Sequence, residues 1–394
     1  MGWTYVGDIT TGLGQVPGAA STPIGYVFDA RGTEHITYMA LDFSLWELTR
    51  SAELWKATNL LAAVGLPALD DPGNPSLRYR DAGPNAYVFP SQGPRHVAYV
   101  TNDGYVHELW HDGTTWNHNP LSSSVGGPLA VVARPAAYPF NSQNTQHIHY
   151  AGASDRHINE LWWDNDGWHH RDLTHDVGGP PAAGDSGALA GYAVDLYHNH
   201  YVDYVGWDQH IHELRWSNGS WGHADLSELS GASADVHLPV PPGGISAFFF
   251  EPTGTRHVYY YGADHHIHEL MASGGGWSHN DLTVATGTWA ETAELGGLAG
   301  YPASQQGTRH VVFTGGAASL IELWWFQSSW AHTDLRSASG APEIRLVPLG
   351  GYARTDDSTQ HVFFHGSPSP HLNELVWRRS RWQHDIVIPH PVNA

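Results

Sequence analysis

Apolar residues in this chain fall in short runs rich in β-branched and aromatic side chains, and Gly, Pro, Asn, Asp or Ser close each run. Residues 245–282 show the pattern: Ile245 to Phe250, then His257-Val258-Tyr259-Tyr260-Tyr261, then Ile267 to Leu270, then a segment opening at Trp277. No run sustains the three-and-four spacing of an amphipathic helix, so each reads as a β-strand.

The series repeats along the chain. Glu-Leu recurs at Glu47, Glu108, Glu160, Glu213, Glu269, Glu322 and Glu374, at spacings of 61, 52, 53, 56, 53 and 52 residues. Eight residues after each glutamate stands a tryptophan: Trp55, Trp116, Trp168, Trp221, Trp277, Trp330 and Trp382. In six units a His follows two places later, and several continue as Asp-Leu, as in Asp172-Leu173 and Asp281-Leu282. Twelve or thirteen residues before the Glu a His opens an apolar run (His35, His96, His147, His257, His310, His361), with Tyr201 at that place in the fourth unit.

Four strand-like runs in about 52 residues, seven times over, predict an all-β fold: a seven-bladed β-propeller of four-stranded antiparallel blades, residues 1–394 forming one domain. An open solenoid would need capping repeats. Trp3 with Asp8-Ile9-Thr10 resembles a stray outermost strand, and Trp382 to Ile388 is a second copy, so two segments compete to close the ring.

Turns centred on Ala263 and Ser273 would set His257 opposite Glu269 and Glu269 opposite Trp277, giving a His, Glu, Trp row on one blade face. Such a row has two readings. It can brace neighbouring blades through a charge-assisted pair, or line a pocket in which an indole stacks on a sugar while carboxylate and imidazole bond its hydroxyls. Positions just before the Glu separate the units. Tyr105, His157, His210, His266 and His371, with His107, Asn159, His212, His268 and Asn373, are polar where units 1 and 6 have Ser44, Trp46, Ser319 and Ile321. The candidate carbohydrate-binding residues are therefore His107, Glu108, Trp116; His157, Glu160, Trp163, Trp168; His210, Glu213, Trp221; His266, Glu269, Trp277; and His371, Glu374, Trp382.

His-Ile-x-Glu-Leu-Trp-Trp followed by Trp-x-His-x-Asp-Leu, as in His157 to Trp163 and Trp168 to Leu173, resembles the PLL family of bacterial lectins first described from Photorhabdus. The resemblance covers nearly the whole chain. It implies a seven-bladed propeller binding L-fucose, galactose or O-methylated glycans at several sites around the ring. Units 1 and 6 depart from the pattern, with Lys56-Ala57-Thr58-Asn59 after Trp55 and Ser319-Leu320-Ile321 before Glu322.

Composition narrows the partners. The charge of −21, from 18 basic and 39 acidic residues, disfavours nucleic acid and anionic membrane surfaces. Without cysteine there are no disulfides, thiolate metal sites or Cys nucleophiles. Charged residues reach only 14%, Lys56 is the single lysine, and 29 His, 18 Trp and 18 Tyr fill the difference. Met1 to Tyr5 lacks a signal-peptide pattern and no run is long enough to span a bilayer, so synthesis in the cytoplasm, no membrane insertion, and release by another route are the expectations. A homo-oligomer is compatible with the sequence.

No enzyme and no cofactor are expected. Gly184-Asp185-Ser186-Gly187 lacks the context of a serine nucleophile, and Asp164-Asn165-Asp166-Gly167 falls where a hairpin turn is needed rather than at a calcium loop. The pairs His147/His149, His198/His200, His210/His212 and His266/His268 would each share a strand face, yet no further ligand is fixed at metal spacing, so no metal is assigned. Seven equivalent glutamates suit repeated binding better than one reaction centre. A multivalent lectin is the reading carried forward; a protein-interaction propeller or a glycosidase-like enzyme with one functional face is the alternative.

Overall fold

The computed structural model describes residues 2–10, 13, 16–28, 32–51, 54–69, 83–184, 188–232, 235–236, 244–288, 297–315, 319–344, 349–367 and 371–378. They form seven four-stranded antiparallel sheets. Blade 5 is typical: Ile245–Phe250, Thr255–Tyr261, Ile267–Ser273 and Gly276–Asp281, paired in chain order. The first strand of each blade lies beside the first strands of both neighbours, and Ile24–Phe28 of blade 1 touches Gly350–Ala353 of blade 7, so the inner ring is closed.

Close packing at the axis needs small residues. A Cβ on Gly191 would fall 2.4 Å from the Tyr138 ring of blade 3, and one on Gly351 would fall 2.7 Å from Tyr301 of blade 6. Outside this ring, apolar clusters join adjacent blades; Val205, Ile211 and Leu226 of blade 4 pack with Ile245, Val258 and Leu270 of blade 5. Burial of such surfaces is what holds blade to blade.

Third and outer strands meet in two-residue hairpins. Ser217 pairs with Ser220 around Asn218-Gly219, both at positive φ, and Ser273 pairs with Gly276 around Gly274-Gly275. Asp164 pairs with Gly167 in the same way, which gives the Asp164-Asn165-Asp166-Gly167 segment its turn role. The recurring Asp-Leu is the start of a one-turn helix. Asp172, Asp225, Asp281 and Asp334 accept the backbone N–H three residues on, and the following leucine is fully buried. The next residue of three of these helices, Thr174, Ser227 or Thr283, accepts the first backbone N–H of the third strand at 2.8–2.9 Å.

Blade 7 is completed from the other end of the chain. Gly2–Asp8 pairs antiparallel with Leu372–Arg378, which sets Trp3 opposite Trp377 where other blades place their outer-strand tryptophan. Trp3 is 8% exposed, packs with Tyr301, Val312 and Val362, and donates its indole N–H to Glu322 at 2.8 Å. The expected Trp382 to Ile388 strand lies outside the described residues. Trp3→Ala is expected to destabilise the protein by about 3–5 kcal/mol in guanidinium unfolding, as buried Trp truncations do; a loss below about 1 kcal/mol would show that this strand does not close the ring.

Candidate functional site

All seven third-strand glutamates are buried, at 0–3% exposure. In six blades the upstream His meets its Glu at 2.7–3.1 Å, from His35–Glu47 to His361–Glu374. The bond is diagonal rather than direct: Tyr259 stands opposite Glu269, and His257 stands opposite Met271 two places along the same face.

The expected one-face row does not include the tryptophan. Because the third–outer hairpin has two residues, Glu269 pairs with Asn280 and Trp277 pairs with Ala272, an odd step away and so on the opposite face. The same register puts Trp168 opposite Trp163, Trp221 opposite Trp216 and Trp116 opposite His111. Trp116, Trp168, Trp221 and Trp277 therefore turn to the preceding blade, and Glu and Trp meet across the inter-blade cleft.

A residue absent from the sequence-level candidates completes the set. The position before each upstream His holds Glu34, Arg95, Gln146, His200, Arg256, Arg309 and Gln360, and it shares the face of the tryptophan. Arg95 reaches back to Glu47 of blade 1 at 2.5 Å and lies 5.0 Å from the Trp116 ring centre. Arg309 meets Glu269 at 3.2 Å with Trp330 at 5.1 Å. At the blade 7–blade 1 junction the guanidinium comes from the third strand, where Arg50 bonds Glu374 at 3.1 Å over Trp55. The sign available in the sequence was the near-replacement of lysine by arginine at this place.

The junction of blade 4 and blade 5 borders a cavity. Arg256 bonds Glu213, with its guanidinium carbon 4.1 Å from the Tyr201 ring centre and 4.8 Å from that of Trp277. A cavity of about 500 Å³ opens beside them, lined also by Phe249, Arg215, Leu229, Gly222 and Ala272. Ala272 explains the opening, since the same third-strand place holds Trp163, Trp216, Trp325 and Trp377 in blades 3, 4, 6 and 7. A second buried carboxyl stands beside this pair: Asp203 lies opposite Glu213, its oxygens make no hydrogen bond among the described residues, and burial holds both carboxyls above the ordinary carboxylate range.

His157, His210, His266 and His371 sit at the second–third turns, at the end of the blades opposite the turns that flank the cavity. His157, His210 and His266 each bond the helix-capping aspartate of their own blade (Asp172, Asp225, Asp281) at 2.7–2.8 Å, and His371 lies 3.4 Å from Asp8. His107 joins a relay from Asp103 to His118, repeated as Asp208–His212–His223 and Asp264–His268–His279. The structure thus splits the candidates into two groups. Glu108, Glu160, Glu213, Glu269, Glu374, Trp116, Trp163, Trp168, Trp221 and Trp277 face the clefts, while His157, His210 and His266 tie turns to helix caps and His107 and His371 bond near the same end of their blades; Trp382 and Asp185-Ser186-Gly187 lie outside the described residues.

No protein-family model matches the chain, and no curated protein is similar to it. Solved structures are. The lectin of the fungus Aleuria aurantia, a six-bladed β-propeller with its own mode of fucose recognition, matches at TM-score 0.51 and 16% identity over 83% of this chain and 94% of that one. AofleA from Arthrobotrys oligospora matches at 0.52 and 14% identity over 93% and 85%. BBS1N, solved in complex with ARL6DN, matches at 0.53 and 10% identity over 95% and 96%. At such identities the likeness is one of propeller architecture.

Histidine burial sets a pH dependence. His107, His118, His149, His170, His200, His223, His257 and His279 titrate below the ordinary imidazole value, chiefly because burial disfavours the cation. His210 is raised by its bond to Asp225. Below about pH 6.5 the unfolded chain binds more protons at the eight lowered sites, so their contribution to stability is lost as pH falls; His210 and the raised carboxyls of Asp203 and Glu213 act in the other direction. The melting temperature is expected to be lower at pH 5 than at pH 7.5, and a flat or rising profile in thermal unfolding would contradict this balance.

Proposed function

We propose that the chain is a carbohydrate-binding propeller that takes small glycans in its inter-blade clefts and performs no chemistry on them. The observation that carries this reading is the blade 4–blade 5 cleft, where a guanidinium, a carboxylate and the rings of Trp277 and Tyr201 border one cavity. A pyranose needs those groups: charged donors and acceptors for its hydroxyls and an aromatic plane for its C–H face. Phe249 and Leu229 add apolar wall suited to the methyl group of a 6-deoxy or O-methylated sugar.

The Aleuria structure, one of fucose recognition, supports a fucose-type ligand, and the PLL-family resemblance adds galactose as the second candidate. Multivalency rests on recurrence. Arg–Glu–Trp sets also stand at the blade 7–1 and 1–2 junctions, and weak sites repeated around a ring gain avidity on a glycan-bearing surface.

Titration with methyl α-L-fucoside and methyl β-galactoside, followed calorimetrically, is expected to show saturable binding of at least one of them. Ala272→Trp, which copies the residue blade 6 carries, should fill the cleft and weaken the strongest site at least tenfold with the fold intact. Binding unchanged in that variant would move the site elsewhere, and no binding across a wider monosaccharide panel would sink the lectin reading.

A further inference from the structure

At the blade 3–blade 4 junction the residue before the upstream position is an imidazole, where three other clefts have arginine. Where blades 2, 5 and 6 present Arg95, Arg256 and Arg309 to the preceding glutamate, blade 4 presents His200. Among the described residues no arginine reaches Glu160. Arg171, opposite Glu160 in register, turns instead toward Asp176 at 3.5 Å and lies 5.3 Å from the Trp162 ring centre.

Three imidazoles surround that carboxylate. His147 Nδ1 is 2.8 Å from Glu160 Oε1, and the donor atoms of His147, Glu160 and His200 all lie within 4.8 Å of one another. His149, two places along the strand from His147, is fully buried with its Nε2 3.6 Å from the same Oε1, and neither of its ring nitrogens makes a hydrogen bond among the described residues. A fully buried imidazole with two unused nitrogens is costly unless something occupies it.

We propose that His147, His149, His200 and Glu160 form a structural Zn²⁺ site that joins blade 3 to blade 4. Imidazole nitrogen and carboxylate oxygen are donors that this cation takes in fourfold coordination, at about 2.0–2.2 Å, which sets neighbouring donor atoms about 3.3 Å apart. The 2.8 Å and 3.6 Å separations already bracket that value. Outer partners fix the rings as zinc sites require: Thr145 Oγ1 holds His147 Nε2 at 2.9 Å, leaving Nδ1 for the metal, and the Tyr138 hydroxyl holds His200 Nδ1 at 3.0 Å, leaving Nε2. The divalent ion supplies here the positive charge that arginine supplies at blades 2, 5 and 6. Burial also keeps His149 and His200 neutral, the form that ligates.

The half-exposed Asp208–His212–Asp225 and Asp264–His268–Asp281 groups offer competing donors, but their carboxylates and imidazoles are hydrogen-bonded to one another or to backbone. Zn²⁺ alone, titrated into EDTA-stripped full-length protein against a chelating indicator, distinguishes them from the buried site. One tight equivalent per chain and a raised melting temperature are expected, with Co²⁺ substitution giving the visible absorption of a tetrahedral ion.

His149→Ala, which copies Ala98 of blade 2, and His200→Arg, which copies Arg256 of blade 5, should each remove that equivalent and the thermal shift. His200→Arg is the safeguard against misfolding, because it installs the cation the other junctions use, and its far-ultraviolet spectrum and unliganded melting temperature should match the parent. Absence of a tight equivalent in the parent, weak binding alone, or a tight equivalent that survives in His200→Arg would each overturn the proposal.

Discussion

Every blade carries a buried carboxylate on its third strand, and one imidazole of the same blade cannot neutralise it from both sides. Glu47, Glu108, Glu160, Glu213, Glu269, Glu322 and Glu374 are all within 3% of full burial. Removing an ionised carboxylate from water without full pairing costs more than any single hydrogen bond returns. Six blades spend one oxygen on their own histidine, and the rest of the charge faces the next blade. Partners then have to come from outside: Arg95 for Glu47, Arg256 for Glu213, Arg309 for Glu269, Arg50 for Glu374 and the indole of Trp3 for Glu322. For Glu108 the donor comes from within the blade, Asn119 of the outer strand at 3.1 Å, as Asn280 also donates to Glu269, while Gln146 of blade 3 accepts the Tyr87 hydroxyl.

This constraint makes the ring cooperative. A blade that slipped by one residue would carry its glutamate to the wrong face and strand a charge in the junction it left. Closure by Gly2–Asp8 follows the same logic, since the strand brings in Trp3 both as an apolar plug and as the donor that Glu322 lacks. Two ends of the chain are thereby held in one blade, and the edge that an open seventh sheet would expose is covered.

Much of this was legible in the order of residues. The constant Glu-to-Trp interval reports a strand, a tight turn and a strand, and seven recurrences report seven blades. Asp-Leu at Asp172, Asp225 and Asp281 was visible as a motif, although its meaning as a helix cap needed the backbone, because a helix of one turn leaves no periodicity to detect. The face of the tryptophan was misread for a definite reason. An eight-residue interval is even, which suggests a shared face if the turn is centred on a residue, but a two-residue hairpin is centred between residues and inverts the parity. The arginines at this place in blades 2, 5 and 6 (Arg95, Arg256 and Arg309) were also passed over, since within a single strand each shows only as a polar residue at the head of an apolar run.

Divergence among the blades concentrates at two places that face each other across strands: the residue before the upstream histidine and its partner on the third strand. These read Glu34/Arg50, Arg95/His111, Gln146/Trp163, His200/Trp216, Arg256/Ala272, Arg309/Trp325 and Gln360/Trp377. The first of the two decides how the neighbouring carboxylate is balanced, and the second decides how much space is left beside it. Neither takes part in the backbone ladder through its side chain, so both can change without disturbing the blade. A frame of seven nearly identical sheets can therefore hold chemically different junctions: sealed where Trp325 covers Arg309 at 4.2 Å, open where Ala272 leaves Arg256 beside a cavity, and rich in imidazole where His200 stands in for arginine. Function in such a ring is set junction by junction, because the charge that must be neutralised is fixed and only the neutralising group and its neighbour are free to vary.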